Sequence, residues 1–283
     1  MADDDRRLTD EVVRSFAGTT DPRLRALLVG LTEHLHAFVR DVCPTLAEWE
    51  AAIRFLTAVG QASTETRQEM ILLSDVLGIS SLVTALNDQP GGTEGTVLGP
   101  FHVVASPERG LGDNIDLLGR PHPAQVRGRV VDPDGRPVPG AVVDVWQCSD
   151  DGFYDVQQPD RQPRGNGRGL FHADADGRFW FRTVVPSHYP IPTDGPVGDL
   201  LSATGRHPYR PAHIHLIVSA PGYVTLTTHV FVAGSLYLDS DAVFAVRDGL
   251  VADFAPAPDD SPDSATPVRV ADIELVLVPA ESG

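Results

Sequence analysis

Apolar residues in the first 88 positions recur at steps of three and four, the spacing of one helical face. Leu24, Leu27, Leu28, Leu31, Leu35, Phe38, Val39 and Val42 form one such stripe, behind an Asp21-Pro22 start that reads as a cap and a first-turn proline. Thr45 and Glu48 have capping-box spacing, and Trp49, Ile53, Leu56 and Val59 continue the period behind them. A third run repeats the scheme, with Thr66 and Glu69 ahead of Met70, Leu73 and Leu77. Helices with this much apolar face cannot enclose it among themselves. They require a further surface, either the rest of the chain or a second copy.

At Asn87-Asp88-Gln89-Pro90-Gly91-Gly92 the period falls to two and the punctuation becomes Gly, Pro and Asp. Residues 125–130 and 141–146 read as strands, with Asp134-Gly135 and Pro139-Gly140 as turns between them. Phe179 to Phe181, His213 to Val218 and Leu226 to Val232 add short strands, and a polar loop over 255–267 precedes a closing strand from Ile273 to Val278. Short strands at this spacing predict a β-sandwich. The expectation is an α+β chain, with a helical domain over 1–88 followed by an antiparallel β-sandwich over 89–283.

The chain has 283 residues, with 22 Lys+Arg against 39 Asp+Glu and a formal net charge of −17. That balance argues against a nucleic-acid partner, which needs basic groups to neutralise phosphates. Cys43 and Cys148 are the two cysteines and have no metal-ligand spacing, which excludes a disulfide scaffold and fits a reducing cytoplasm. The N-terminus leads into no apolar signal region, and no run of 18 apolar residues predicts a membrane span.

The candidate chemistry centres on Arg210-Pro211-Ala212-His213-Ile214-His215-Leu216. On a strand, His213 and His215 project from one face while Ile214 and Leu216 take the other, an arrangement open between two metal ligands and a surface pair. No Cys, HExxH or carboxylate cluster stands ready to complete a metal site, so the tyrosines matter. Tyr154 and Tyr189 each follow a strand end, and taken alone both also read as half-buried tyrosines with a bonded hydroxyl.

The order of motifs resembles one family, the intradiol ring-cleaving catechol dioxygenases with non-haem Fe(III). The resemblance runs from about residue 60 to 254, through Leu73-Ser74-Asp75-Val76-Leu77-Gly78, Glu94-Gly95-Thr96-Val97-Leu98-Gly99-Pro100-Phe101 and Val142-Val143-Asp144-Val145-Trp146-Gln147. It continues in Gly152-Phe153-Tyr154, Val185-Pro186-Ser187-His188-Tyr189 and the Arg210 to His215 stretch. The resemblance implies Tyr154, Tyr189, His213 and His215 as iron ligands, a hard-oxygen and imidazole set that suits ferric iron. It implies that Tyr189 also takes a proton from the substrate and that Arg210 stabilises developing negative charge.

The family pattern further places Leu72, Asp75, Val97, Gly99, Pro100 and Val243 along the substrate cavity. Its N-terminal helices form a homodimer, sometimes with a phospholipid in a helical tunnel. The stripe of residues 24–42 is open between that tunnel and plain helix–helix core. Residues 152–157, 228–231 and 237–244 are more similar to hydroxyquinol (benzene-1,2,4-triol) 1,2-dioxygenases than to catechol enzymes, which usually carry Gln where His229 stands. His229 is then expected to hydrogen-bond a ligand rather than to be one. Asp75 is expected either to bond the extra hydroxyl of a triol or only to solvate its helix end. The competing readings are catechol or chlorocatechol as substrate, a non-catalytic prealbumin-like binding module, and a zinc or iron hydrolase built on His213, His215 and a carboxylate.

Overall fold

The structure, a computed structural model, describes residues 2–64, 67–102, 106–257 and 268–280. The chain falls into two compact units, Met1–Thr57 and Ala58–Gly283.

The first unit holds α1 (Ala2–Ser15), α2 (Pro22–Val42) and most of α3 (Leu46–Ala62). The Asp21 carboxylate accepts the backbone N–H groups of Arg23 and Leu24 at 2.8 and 3.2 Å, so the cap read from the sequence is formed. Thr45 and Glu48 bond reciprocally, closing the capping box ahead of α3. The α2 stripe does not become an internal core: Leu24, Leu27, Leu31, Leu35, Phe38, Val39 and Val42 all remain exposed in the single chain. The proposed cap at Thr66 lies outside the described residues.

The second unit opens with α4 (Glu69–Val76) and α5 (Ile79–Leu86), which replace the single third run read from the periodicity. Gly78 separates them in the left-handed conformation, at φ 72°, and the helices bend by 76°. Two sheets follow. One has the order β10 (Ala255–Pro256), β11 (Arg269–Val276), β1 (Pro123–Val131), β4 (Arg178–Val184). The other runs β3 (Arg168–His172), β2 (Val142–Gln147), β7 (His213–Ser219), β8 (Leu226–Val232), β9 (Val251–Ala252). A ribbon of β5 (Tyr189–Pro190) and β6 (Tyr209–Arg210), and the helix α6 (Pro196–Ala203), complete the named elements.

Val126, Val130, Phe179, Phe181 and Leu275 from one sheet pack with Val143, Val145, Phe171, Ile214, Leu216 and Val218 from the other. Phe179 lies across Gly128, its partner on β1, so closely that a Cβ there would stand 2.1 Å from the ring.

The sandwich is mixed rather than antiparallel, because β1 pairs with β11 and β8 with β9 in parallel. Neither pair is joined by a hairpin, the connection that forces antiparallel pairing, so each returning strand is free to enter in the same direction as its neighbour. The closing strand also starts earlier than its apolar core suggests, at Arg269. Strand β3 and helix α6 were not legible in the periodicity.

Candidate metal centre

Strand β7 is where the site begins. Its alternation buries Ile214 and Leu216 between the sheets and turns His213 and His215 to the opposite face, where both are buried. The register then builds a row across three strands, with Trp146 of β2 opposite His215 and His229 of β8 opposite His215 on the other side. The Trp146 indole stacks on the His215 imidazole at 4.6 Å and 11°. Tyr154 follows β2 at the start of a short 3-10 turn, its N–H held by the Gln157 side chain at 2.9 Å. Tyr189 pairs with Arg210 across the two-stranded ribbon, so one pairing delivers a phenol and a guanidinium to the same place.

These segments converge. His213 Nε2 lies 3.1 Å from His215 Nε2, His215 Nε2 lies 3.1 Å from Tyr154 Oη, and Tyr154 Oη lies 3.4 Å from Tyr189 Oη. All four side chains are at most 1% exposed. Phe101 stacks on Tyr154 at 4.6 Å and closes that side.

The bond on the far side of His213 fixes which of its nitrogens faces the centre. His213 Nδ1 donates to the Pro211 carbonyl at 2.8 Å, which leaves the Nε2 lone pair pointing inward. His215 Nδ1 lies 2.7 Å from His229 Nε2, and His229 Nδ1 lies 2.5 Å from Thr96 Oγ1. When the Thr96 hydroxyl accepts from His229 Nδ1–H, His215 Nδ1–H donates to His229 and His215 Nε2 carries a lone pair. When the hydroxyl donates, the protons run the other way and His215 Nε2 carries a proton. In the first arrangement two acceptor nitrogens stand 3.1 Å apart and a cation between them removes the conflict; in the second, His215 Nε2–H donates to His213. Donors about 2.0–2.1 Å from one small cation stand roughly 2.8–3.4 Å from each other, the spacing seen here. His213, His215 and His229 also form a close triad by distance alone. The hydrogen bonds favour the two-histidine, two-tyrosine set, because the inner nitrogen of His229 is spent on His215.

Electrostatics point the same way. Burial, then the Arg210 charge, holds His213 well below the ordinary histidine value, and burial likewise lowers His215 and His229, so all three rings are neutral and fit for coordination. Burial lifts Tyr154 well above the ordinary tyrosine value, with Tyr189 adding to the rise. Tyr189 is also raised by burial, partly offset by Arg210. Two such phenols ionise together only beside a strong positive charge, which a bound cation provides. The donor set therefore fits a hard metal ion.

Arg210 is 2% exposed and forked onto Asp241, at 3.1 Å through Nε and 3.4 Å through Nη2, while its Nη1 reaches His213 Nε2 at 3.2 Å. Asp241 also accepts the N–H groups of Val243 and Ala245, tying Val243 to the same cluster. Gly99, at φ 74°, brings its backbone against His215, where a Cβ would stand 3.1 Å from Cε1. Val97 is buried and Pro100 half-buried beside it. Leu72 and Asp75 are buried on α4. Asp75 is raised by burial, with Ser80 and the Arg210 charge opposing, and its Oδ1 has no hydrogen-bond partner.

A family model described as "Dioxygenase" matches residues 112–276, and one described as "Catechol dioxygenase N terminus" matches 21–94. A hydroxyquinol 1,2-dioxygenase of Rhizobium sp. is 52% identical over 252 residues, covering 88% of this chain and 85% of that protein. The chain belongs to the intradiol ring-cleavage dioxygenases. A 6-chlorohydroxyquinol 1,2-dioxygenase of Cupriavidus pinatubonensis is 51% identical, covering 89% of this chain and 91% of its own. The crystal structure of a hydroxyquinol 1,2-dioxygenase from Pseudomonas putida superposes with a TM-score of 0.90 at 45% identity, over 99% of this chain and all of that one.

As an intradiol dioxygenase the protein is an enzyme acting on aromatic substrates, which sets aside the binding-module and hydrolase readings. Among the described residues no single helix is long and apolar enough to cross a membrane. Sequence reasoning gave no role to Thr96, Phe101, Trp146 or Asp241. All four lie inside stretches that carry the resemblance, but what they touch depends on cross-strand register and loop return.

Proposed function

We propose that this intradiol dioxygenase cleaves hydroxyquinol (benzene-1,2,4-triol) with O2 at a non-haem Fe(III) held by Tyr154, Tyr189, His213 and His215. The product would be 3-hydroxy-cis,cis-muconate, which tautomerises to maleylacetate. The observation that carries the reading is the convergence of two phenol oxygens and two imidazole Nε2 atoms in one buried cluster. Ferric iron, when bound, supplies Lewis acidity that makes a diol's hydroxyls acidic and the redox capacity that dioxygen chemistry on the ring requires.

The chain's own residues do the rest. Tyr189, ionised at Oη when a metal is bound, would take a proton from a substrate hydroxyl and become the neutral phenol. The Arg210 charge eases the ionisation that this requires, while Tyr154 lacks so direct a partner. Arg210, fixed by Asp241, holds positive charge where the ring becomes negative. His229 keeps His215 oriented. Gly99, whose backbone stands against His215, and Pro100, with the buried Val97, Leu72 and Val243, would line the side on which an aromatic ring binds. Asp75 offers its unpartnered oxygen to the hydroxyl that a triol has and catechol lacks. That oxygen, with the substrates named for the relatives, favours the triol over catechol or a chlorocatechol.

Residues 1–88 serve dimerisation and 89–283 catalysis, with Leu72 and Asp75 reaching the pocket from the helical part. The exposed α2 stripe is covered by a second copy of the chain. The two unpaired cysteines agree with a cytoplasmic location.

Iron content, the visible spectrum and turnover test the reading together. The purified protein should bind iron and show a tyrosinate-to-iron band, and kcat/KM should favour benzene-1,2,4-triol over catechol by at least about tenfold, the worth of one hydrogen bond. A protein that takes up no iron overturns the metal assignment. Equal or faster catechol turnover overturns the substrate.

A further inference from the structure

The hydrogen-bond chain behind His215 does not stop at His229. Thr96 lies outside the centre, on the segment that leads to Gly99, and its backbone N–H is anchored independently on the Thr227 carbonyl at 2.9 Å. Its hydroxyl oxygen sits 2.5 Å from His229 Nδ1, and the residue is 4% exposed. A histidine bonded at both nitrogens has one proton to place, and its two partners decide where. Here one partner is His215 Nδ1 and the other is a hydroxyl that can accept that proton or donate its own.

We infer that Thr96 is a positioning residue for the metal centre: by accepting from His229 Nδ1 it obliges His229 to present an acceptor at Nε2. That acceptor in turn places the proton of His215 on Nδ1 and frees His215 Nε2 for the metal. The inference rests on the iron reading above but concerns the protein's own protons. Without the threonine oxygen, the His229 proton gains nothing at Nδ1 and moves to Nε2, where it faces His215. His215 must then accept at Nδ1 and carry its own proton on Nε2, the atom needed for coordination. A neutral imidazole cannot both hold a proton and bind a metal through one nitrogen. The two tautomer sets therefore differ in metal affinity, although no atom that touches the metal has changed.

Val is the informative replacement, since it keeps the branched shape of Thr96 and puts a methyl, which can neither accept nor donate, in place of the hydroxyl. Thr96→Val should lose about 10- to 100-fold in iron affinity, measured by chelator competition, the usual loss when an outer partner of a metal-bound histidine is removed. Thr96→Ser should restore it to within about threefold.

Histidine 15N spectra of the metal-free full-length protein give a readout that needs neither iron nor turnover. His215 should be protonated on Nδ1 in the wild type and in Thr96→Ser, and shift towards Nε2–H in Thr96→Val. In a His229→Gln background, where the amide cannot relay a tautomer, Thr96→Val should add little further loss. Unchanged affinity and an unchanged His215 tautomer in Thr96→Val overturn the inference, as does an equal loss in both backgrounds. If Thr96→Val does not fold, the wild-type spectrum decides, because His215 protonated on Nε2 overturns the inference by itself. A wild type that binds no iron yet shows the Nδ1–H tautomer would overturn the iron assignment and leave the tautomer relay standing.

Discussion

Single side chains in this centre are held by partners that are themselves buried and bonded. Arg210 is a buried cation whose charge is answered by Asp241, and each is 2% exposed at the side chain. Asp241→Asn should therefore cost about 3–5 kcal/mol in urea unfolding, the penalty of leaving one charge of a buried pair alone. A cost below about 1 kcal/mol would mean the pair is open to water. Asp75 behaves oppositely, since burial makes it keep its proton to higher pH in the folded chain than in the unfolded one. Its contribution to stability is full below the ordinary carboxylate value and is lost as pH rises through the raised folded value. Asp75→Asn removes that loss, so the variant should gain on the wild type as pH rises through that window in paired urea titrations, while its preference for a triol falls. A stability difference that stays flat with pH would show that Asp75 is not buried as a carboxylate. Burial also pushes the Cys148 thiol up to about 12, whereas Cys43 is exposed. Alkylation of the native protein should label Cys43 alone, as read by peptide mass.

At the scale of elements, the legible features were those with local causes. The Asp21 cap and the Thr45–Glu48 box could be read because a cap is decided within four residues. Strands β1, β2, β4, β7 and β8 could be read because each alternates against a sandwich core. Strand β3, Arg-Gly-Leu-Phe-His, has no such signature, and Gly169 within it sits where a Cβ would meet the Phe171 ring at 2.7 Å. Gly128 shows the same dependence on a distant partner. Gly128→Ala would drive a methyl into Phe179, and should cost about 1–3 kcal/mol in thermal or urea unfolding by overpacking. Paired Phe179→Leu should recover part of that loss, and no recovery would place the strain elsewhere.

For the whole molecule, the first unit presents apolar side chains and the second unit contributes all four proposed metal donors. Leu31→Glu on the α2 stripe should shift the protein towards monomer in sedimentation velocity while iron content stays unchanged; a stable dimer would move the interface off that face. The amino-acid sequence determined helices α2 and α3, strands β1, β2, β4, β7 and β8, the caps at Asp21 and Thr45, the turn at Asp134-Gly135 and the placing of His213 and His215 on one strand face. Each follows from backbone periodicity or from groups within four residues, so no distant part of the chain is needed. Tertiary structure alone decided that Tyr154 and Tyr189 meet those histidines, that β11 lies parallel to β1, that Gly78 divides two helices at 76°, and that Thr96 stands behind His229. Such contacts are set by sheet register and by where long connections return. Those depend on the summed burial of many residues, and no local pattern encodes that sum.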